Sequence, residues 1–190
     1  RPAIEKGEFV AHFQPQIDLG TGRIIGFEAL ARWMDPDRGM ISPAQFIPLA
    51  EESGLIVPLG YRILEIACRQ GAALVGSGRS PIVIAVNLSA RQFAEEDLAK
   101  VVMRILARAN LDPSRLELEI TESVVMGNIE EAITKMHELK DIGVQISVDD
   151  FGTGFSSLQY LKRFPIDKLK VDQSFVRNLL SSSEDQAICQ

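Results

Sequence analysis

The sequence predicts an α/β fold in which parallel strands alternate with helices and curl towards a barrel, and three observations lead there. From residue 82 onward, short apolar strands and helical patterns alternate strictly, the signature of repeated βα crossovers. Several of those strands end in carboxylates, as the C-terminal rim of a parallel barrel does where it carries a functional site. The chain opens differently, with two adjacent strands joined by a glycine turn, so its first strand is expected antiparallel to its neighbour.

Phe9 to Leu19 and Ile24 to Trp33 form that opening pair, joined by Gly20-Thr21-Gly22. Ser42-Pro43-Ala44-Gln45 combines an N-cap, a proline at the first helical position and a capping-box glutamine, so a helix should run towards Glu52 and stop near Gly54. A second helix begins near Pro58, with Leu59, Ile63, Ile66, Ala67 and Leu74 at helical spacing, and Gly76 to Ser80 ends it before the strand Ile82 to Leu88. There follow a helix from Asp97 to Ala109, a strand from Leu116 to Thr121, a helix from Asn128 to Asp141 with its own capping box, and a strand from Val144 to Asp149. After the glycine turn at Gly152-Thr153-Gly154 come a short helix near Ser157 to Arg163, a strand Lys168 to Asp172 and a segment from Ser174 to Leu180. Ser183-Glu184-Asp185-Gln186 is a further capping box, with only Ala187 to Gln190 behind it. Six strands in 190 residues fall short of the roughly 250 residues typical of a closed eight-stranded barrel. The expectation is a single domain over residues 1–190, shortened at its C-terminal end by two strands.

Composition narrows the function. A formal charge of −6, with no run of Lys and Arg, argues against a nucleic-acid surface. No apolar run is long enough to span a bilayer, and no membrane contact by this domain is expected. Cys68 and Cys189 are far apart in helical patterns and read as free thiols in a reducing, cytoplasmic setting. His12 and His137 read as structural residues, and Trp33 and the phenylalanines as core.

Side-chain direction alternates along a strand, and this sorts the polar residues. In Leu116-Glu117-Leu118-Glu119-Ile120-Thr121 the apolar residues share one face and Glu117, Glu119 and Thr121 the other. The same parity turns Glu28 with Arg32, Asn87, and Lys170 with Asp172 into the barrel near its C-terminal mouth. Glu28, Glu119, Asp149 and Asp150 would then crowd together, and like charges at such range need a counterion. An asparagine with several carboxylates is the hard oxygen set of Mg²⁺ or Mn²⁺. Asp149 could bridge two ions about 3.5–4 Å apart, the arrangement used for in-line attack on phosphodiesters. The alternative, a solvated ring of acids balanced by Lys and Arg, leaves Asn87 unexplained. Glu117 sits deeper, with no partner evident in the sequence.

Glu28-Ala29-Leu30 with Arg32, Asn87-Leu88-Ser89, Glu119-Ile120-Thr121-Glu122, Asp149-Asp150-Phe151-Gly152-Thr153-Gly154 and Lys170-Val171-Asp172 occur in the order of one family. From about Phe9 to its last residue the chain resembles the EAL domain, the bacterial phosphodiesterase of cyclic di-GMP. The resemblance implies a TIM-like (β/α)₈ barrel with an antiparallel first strand, hydrolysing cyclic di-GMP to linear pGpG with two Mg²⁺ or Mn²⁺ ions. It makes Glu28, Asn87, Glu119, Asp149 and Asp150 the metal ligands. Lys170 would hold the attacking water, with Asp172 supporting that corner. Glu122 would tether the loop that begins at Asp150, through which a homodimer is expected. Gln14 and Arg32 take the substrate-contacting positions. Such domains are usually joined to sensory or cyclase-like modules. The family carries two more strands and a further glutamate beyond the last residue here, which keeps open the alternative of a cyclic di-GMP receptor that binds without turnover.

Overall fold

The computed structural model describes residues 2–75, 82–152 and 161–177. The Gly76 to Ser80 stretch expected to end the second helix, the loop from Thr153, the start of the helix expected from Ser157, the segment beyond Arg177 and Cys189 lie outside these residues. The strands are β1 (Phe9–Ile17), β2 (Ile24–Asp35), β3 (Gly39–Ile41), β4 (Val83–Leu88), β5 (Leu116–Thr121), β6 (Gln145–Phe151) and β7 (Lys168–Val171). The helices are α1 (Pro2–Glu5), α2 (Pro43–Glu52), α3 (Ile56–Val75), α4 (Ala90–Ala94), α5 (Leu98–Ala109), α6 (Glu122–Gly127), α7 (Ile129–Ile142) and α8 (Gln173–Arg177). One sheet runs in the order β1-β2-β4-β5-β6-β7, with β3 paired to β2. β1 is antiparallel to β2 and every later neighbour along the path is parallel. This is the strand order of a TIM-like barrel with an antiparallel first strand, as expected.

Local chemistry sets the ends of these elements. β1 stops at Ile17 rather than Leu19 because Asp18 turns the chain: its Oδ1 accepts from the Thr21 amide at 2.7 Å, and Gly22 supplies a φ of +68°. Leu19 is left 98% exposed on the turn. β2 runs past Trp33 and folds back into the unforeseen β3, where Asp35 Oδ1 accepts from the amides of Asp37 and Arg38 at 3.0 and 2.9 Å. The capping box expected at Ser42 is not made. Ser42 gives no side-chain bond, and the Gln45 amide donates to the Ser42 carbonyl oxygen instead at 2.9 Å. A capping box forms at Ser89 instead, closed by Gln92.

The core lies between the outer faces of the strands and the helices. Leu116, Leu118 and Ile120 of β5 and Ile146 and Val148 of β6 are buried in one apolar cluster with Leu64, Val102, Met136 and Leu139 from the helices. Each such side chain stabilises the fold by about 1.5–3 kcal/mol relative to exposure. At the start of β1, Phe9 stacks on Trp33 with centroids 5.5 Å apart, and Phe46 of α2 meets Phe9 edge-on at 5.4 Å. The polar residues of β5 face the other way, and that inner face carries the site.

Candidate active site

Glu119 is the centre of the inner face. Its register neighbours are Asn87 on β4 and Ser147 on β6, while Thr121 pairs with Asp149 one step nearer the mouth. Lys170 on β7 reaches across β6 to join them. Its Nζ donates to Glu119 Oε2 at 2.7 Å and to Asp149 Oδ2 at 2.8 Å, and stands 3.7 Å from Glu28 Oε2. Asn87 Nδ2 donates to Glu28 Oε1 at 2.9 Å, which orients that carboxylate. Five strands thus deliver Glu28, Asn87, Glu119, Asp149 and Lys170 to one linked cluster.

Burial dominates its electrostatics. Glu119 is only 1% exposed, and burial pushes its carboxyl up to about 7; Lys170 opposes that rise, whereas Glu28 and Asp149 add to it. Burial alone would pull Lys170 down, but its hydrogen bonds to Asp149 and Glu119 and the charges around it outweigh this, so its ammonium is held above the ordinary range. Lys170 therefore stays charged at neutral pH.

Asp150 stands beside the cluster, exposed at the mouth. Its amide donates to Asp149 Oδ1 at 2.9 Å and its φ is +56°, the left-handed conformation that Asp tolerates better than most residues. Burial first, then the charges of Asp149 and Asp172, raise its carboxyl. Asp172 turns to the start of α8, where Oδ1 accepts from the Ser174 amide at 2.8 Å, and hydrogen bonding from the Ser174 hydroxyl first and its amide second holds it below the ordinary carboxylate range. Glu122, buried at the first position of α6, accepts from the Gly152 amide through Oε2 at 2.9 Å and so grips the backbone just after Asp150. Gln14 lies opposite Glu28 in the β1–β2 register and is exposed. Arg32 donates through Nη1 to the Ala31 carbonyl oxygen at 2.8 Å. Neither is hydrogen-bonded to the cluster. Arg32 and Asn87 do share a mostly apolar cleft of about 320 Å³, walled by Leu30, Phe46, Ser89 and Gln92.

The donor set suits a hard divalent cation. Glu28, Glu119, Asp149 and Asp150 outnumber the single ammonium of Lys170, and Glu119 Oε1 is buried with no hydrogen-bond partner. Among the described residues no group of three or more His, Cys, Asp or Glu side chains is arranged to hold a metal ion, and Lys170 Nζ lies between Glu119 and Asp149.

Three features escaped the sequence. Glu117 has a partner after all: Lys168 Nζ donates to its Oε2 from β7. The matched spacing of Glu117 with Glu119 and of Lys168 with Lys170 is in the sequence, but the strand stagger that brings the two pairs together is not. Ser147 lies fully buried on the same face. Gln92 closes the cap at Ser89, two residues beyond Asn87, and nothing in its sequence neighbourhood marks it as buried.

A family model described as EAL domain matches residues 1–190. The chain is 47% identical over 188 residues to the bifunctional diguanylate cyclase/cyclic di-GMP phosphodiesterase MucR of Pseudomonas aeruginosa, covering 99% of this chain and 27% of that protein. It is 41% identical to the cyclic di-GMP phosphodiesterase PdeR of Escherichia coli, covering 99% of this chain and 28% of the relative. It spans about a quarter of the length of these relatives. Among solved structures, a MucR phosphodiesterase in complex with c-di-GMP superposes with a TM-score of 0.93 at 47% identity, over 99% of this chain and 76% of that one. The EAL enzyme Bd1971 in its cGMP-bound form gives 0.88 at 34% identity, over 98% and 52%.

Proposed function

The chain belongs to the EAL domain family, and from that premise we propose that it hydrolyses cyclic di-GMP to linear pGpG. The observation that carries this reading is the convergence of Glu28, Glu119 and Asp149 on Lys170, with Asn87 bonded to Glu28, on adjoining strands and with one buried carboxylate oxygen of Glu119 left unpartnered. Glu28, Asn87, Glu119, Asp149 and Asp150 would hold Mg²⁺ or Mn²⁺, as two ions. When bound, such ions neutralise the scissile phosphate and make water acidic enough to attack near neutral pH.

The chain's own residues do the rest. Lys170, kept protonated, acts as a fixed charge that orients the attacking water rather than as a base. Asn87 holds Glu28 in position, and Glu122 fixes the backbone at Gly152 so that Asp150 is presented at the mouth. Asp172 supports the β7 end, and Gln14 and Arg32 on the Glu28 face contact the substrate. Water adds to phosphorus, one ester oxygen leaves as a ribose hydroxyl, and the ring opens.

The test is hydrolysis of cyclic di-GMP by this polypeptide with Mg²⁺ or Mn²⁺, beside Glu28→Ala and a chelator control. Formation of pGpG that both controls abolish is the expected result. Binding without turnover would refute the hydrolytic reading in favour of a receptor. We further propose a cytoplasmic domain that pairs with its own copy through the loop after Asp150 and works beside sensory or cyclase modules. MucR, named for both activities, supports the association with a cyclase. A strict monomer in light scattering, with and without ligand, would count against the dimer. Among the described residues no helix is long and apolar enough to cross a membrane.

A further inference from the structure

We infer that the ion pair between Glu117 and Lys168 sets the register of β7 and thereby the position from which Lys170 reaches the carboxylates. Both are positioning residues, and the inference rests on the reading of Lys170 as part of the hydrolytic site. β5 and β7 flank β6 and run parallel to it. Glu117 and Glu119 point inward two residues apart on β5, and Lys168 and Lys170 match them on β7. The four meet as two rungs, Lys168 on Glu117 and Lys170 on Glu119. If β7 slid by two residues, one lysine would meet the wrong glutamate and the other glutamate would lose its cation. Only the native register pairs both.

The backbone ladder does not secure this unaided. β7 pairs with β6 at Ser147–Lys168 and Val148–Leu169, then breaks register before Phe151–Val171. Lys170 emerges inside that irregularity, opposite the stretch where Asp150 takes its positive φ. Asp167 anchors only the start of the strand, exchanging bonds of 2.8 Å with Ile146 through its amide and its Oδ2. Glu117 is 1% exposed, with Oε2 on Lys168 and Oε1 buried without a partner, so Lys168 is its sole cation among the described residues. Stranding a buried carboxylate is costly, and that cost gives the lower rung its hold on the register.

The experiment compares Lys168→Met, Lys168→Arg and Glu117→Gln with the unsubstituted chain, by amide hydrogen exchange of Leu169 to Val171 and by steady-state hydrolysis of cyclic di-GMP with Mn²⁺. Lys168→Met should speed exchange in β7 by about tenfold or more while β4 amides hold theirs. It should lower kcat about tenfold with KM unchanged, the mark of an interaction felt in the transition state. Lys168→Arg should restore both, and Glu117→Gln should behave as Lys168→Met does, serving in its place should that variant fail to fold. Unchanged β7 exchange overturns the inference. So does a fall in kcat without faster exchange, which would give Lys168 a direct role. If the unsubstituted chain shows no turnover, the hydrolytic reading fails on its own and exchange still decides the register.

Discussion

Lys170→Met removes a cation on which three carboxylates converge, at 2.7, 2.8 and 3.7 Å. Above about pH 7, where Glu119 is ionised, each of the two short contacts is worth about 6 kcal/mol before desolvation at an effective dielectric near 20. Desolvation of the paired groups takes back most of that, and removing one partner of a buried pair costs about 3–5 kcal/mol in practice. Lys170 is 27% exposed, which places the loss at the lower end, about 3 kcal/mol. For a chain of this size each kcal/mol moves the thermal midpoint by about 2–4 °C, so in chelator the variant should melt about 6–12 °C below the unsubstituted protein. A divalent cation can do the ammonium's work. At about a hundredfold excess over its Kd it contributes about 2.7 kcal/mol, enough to recover most of the deficit. The unsubstituted protein should gain less, because its carboxylates already have a partner. Thermal melts of both proteins with chelator and with Mn²⁺ measure this. An unshifted midpoint in chelator, or an equal gain in both proteins, would refute the reasoning.

Glu119 predicts a pH dependence. Its folded carboxyl keeps its proton up to about 7, against an ordinary 4.5, so between these values the folded chain binds more protons than the unfolded one and stability in chelator falls as pH rises. Glu119→Gln should flatten that slope in denaturant melts across the window. The same proton must leave before a cation binds, so Mn²⁺ affinity by titration calorimetry should rise with pH through about 7. Gly60→Ala should cost about 1–3 kcal/mol in urea denaturation, because a Cβ there would press into the buried amide of Gln92 and disturb the cap that follows Asn87.

Much of this molecule could be read from the chain because β5 states its two faces by strict alternation. Leu116, Leu118 and Ile120 lie in the core and Glu117 and Glu119 face inward, as their parity requires. The antiparallel opening pair and the parallel run after it follow from a glycine turn and from helix-length crossovers. What could not be read depends on competition or on distance. At Ser42 a backbone turn took the donor that the side chain was expected to bind, a contest of two bonds of similar strength. Lys168 and Glu117 are 51 residues apart, and their meeting is set by the stagger of three strands, which no local pattern states. β3 arises from the Asp35 turn, a side-chain device that propensity does not weigh.

Asp150 illustrates how a backbone angle shapes what a position can become. With φ at +56°, a β-branched or bulky side chain would bring a strain of about 1–2 kcal/mol, whereas Gly, Asn and Asp settle there readily. A saturation library at this codon would therefore meet two separate filters. The first, for a folded domain, should pass all three residues; the second, for activity, should reject Gly for want of an oxygen and leave Asn to reveal how much the negative charge itself matters. Shape and charge, confounded at Glu119 and Asp149, come apart at this one residue.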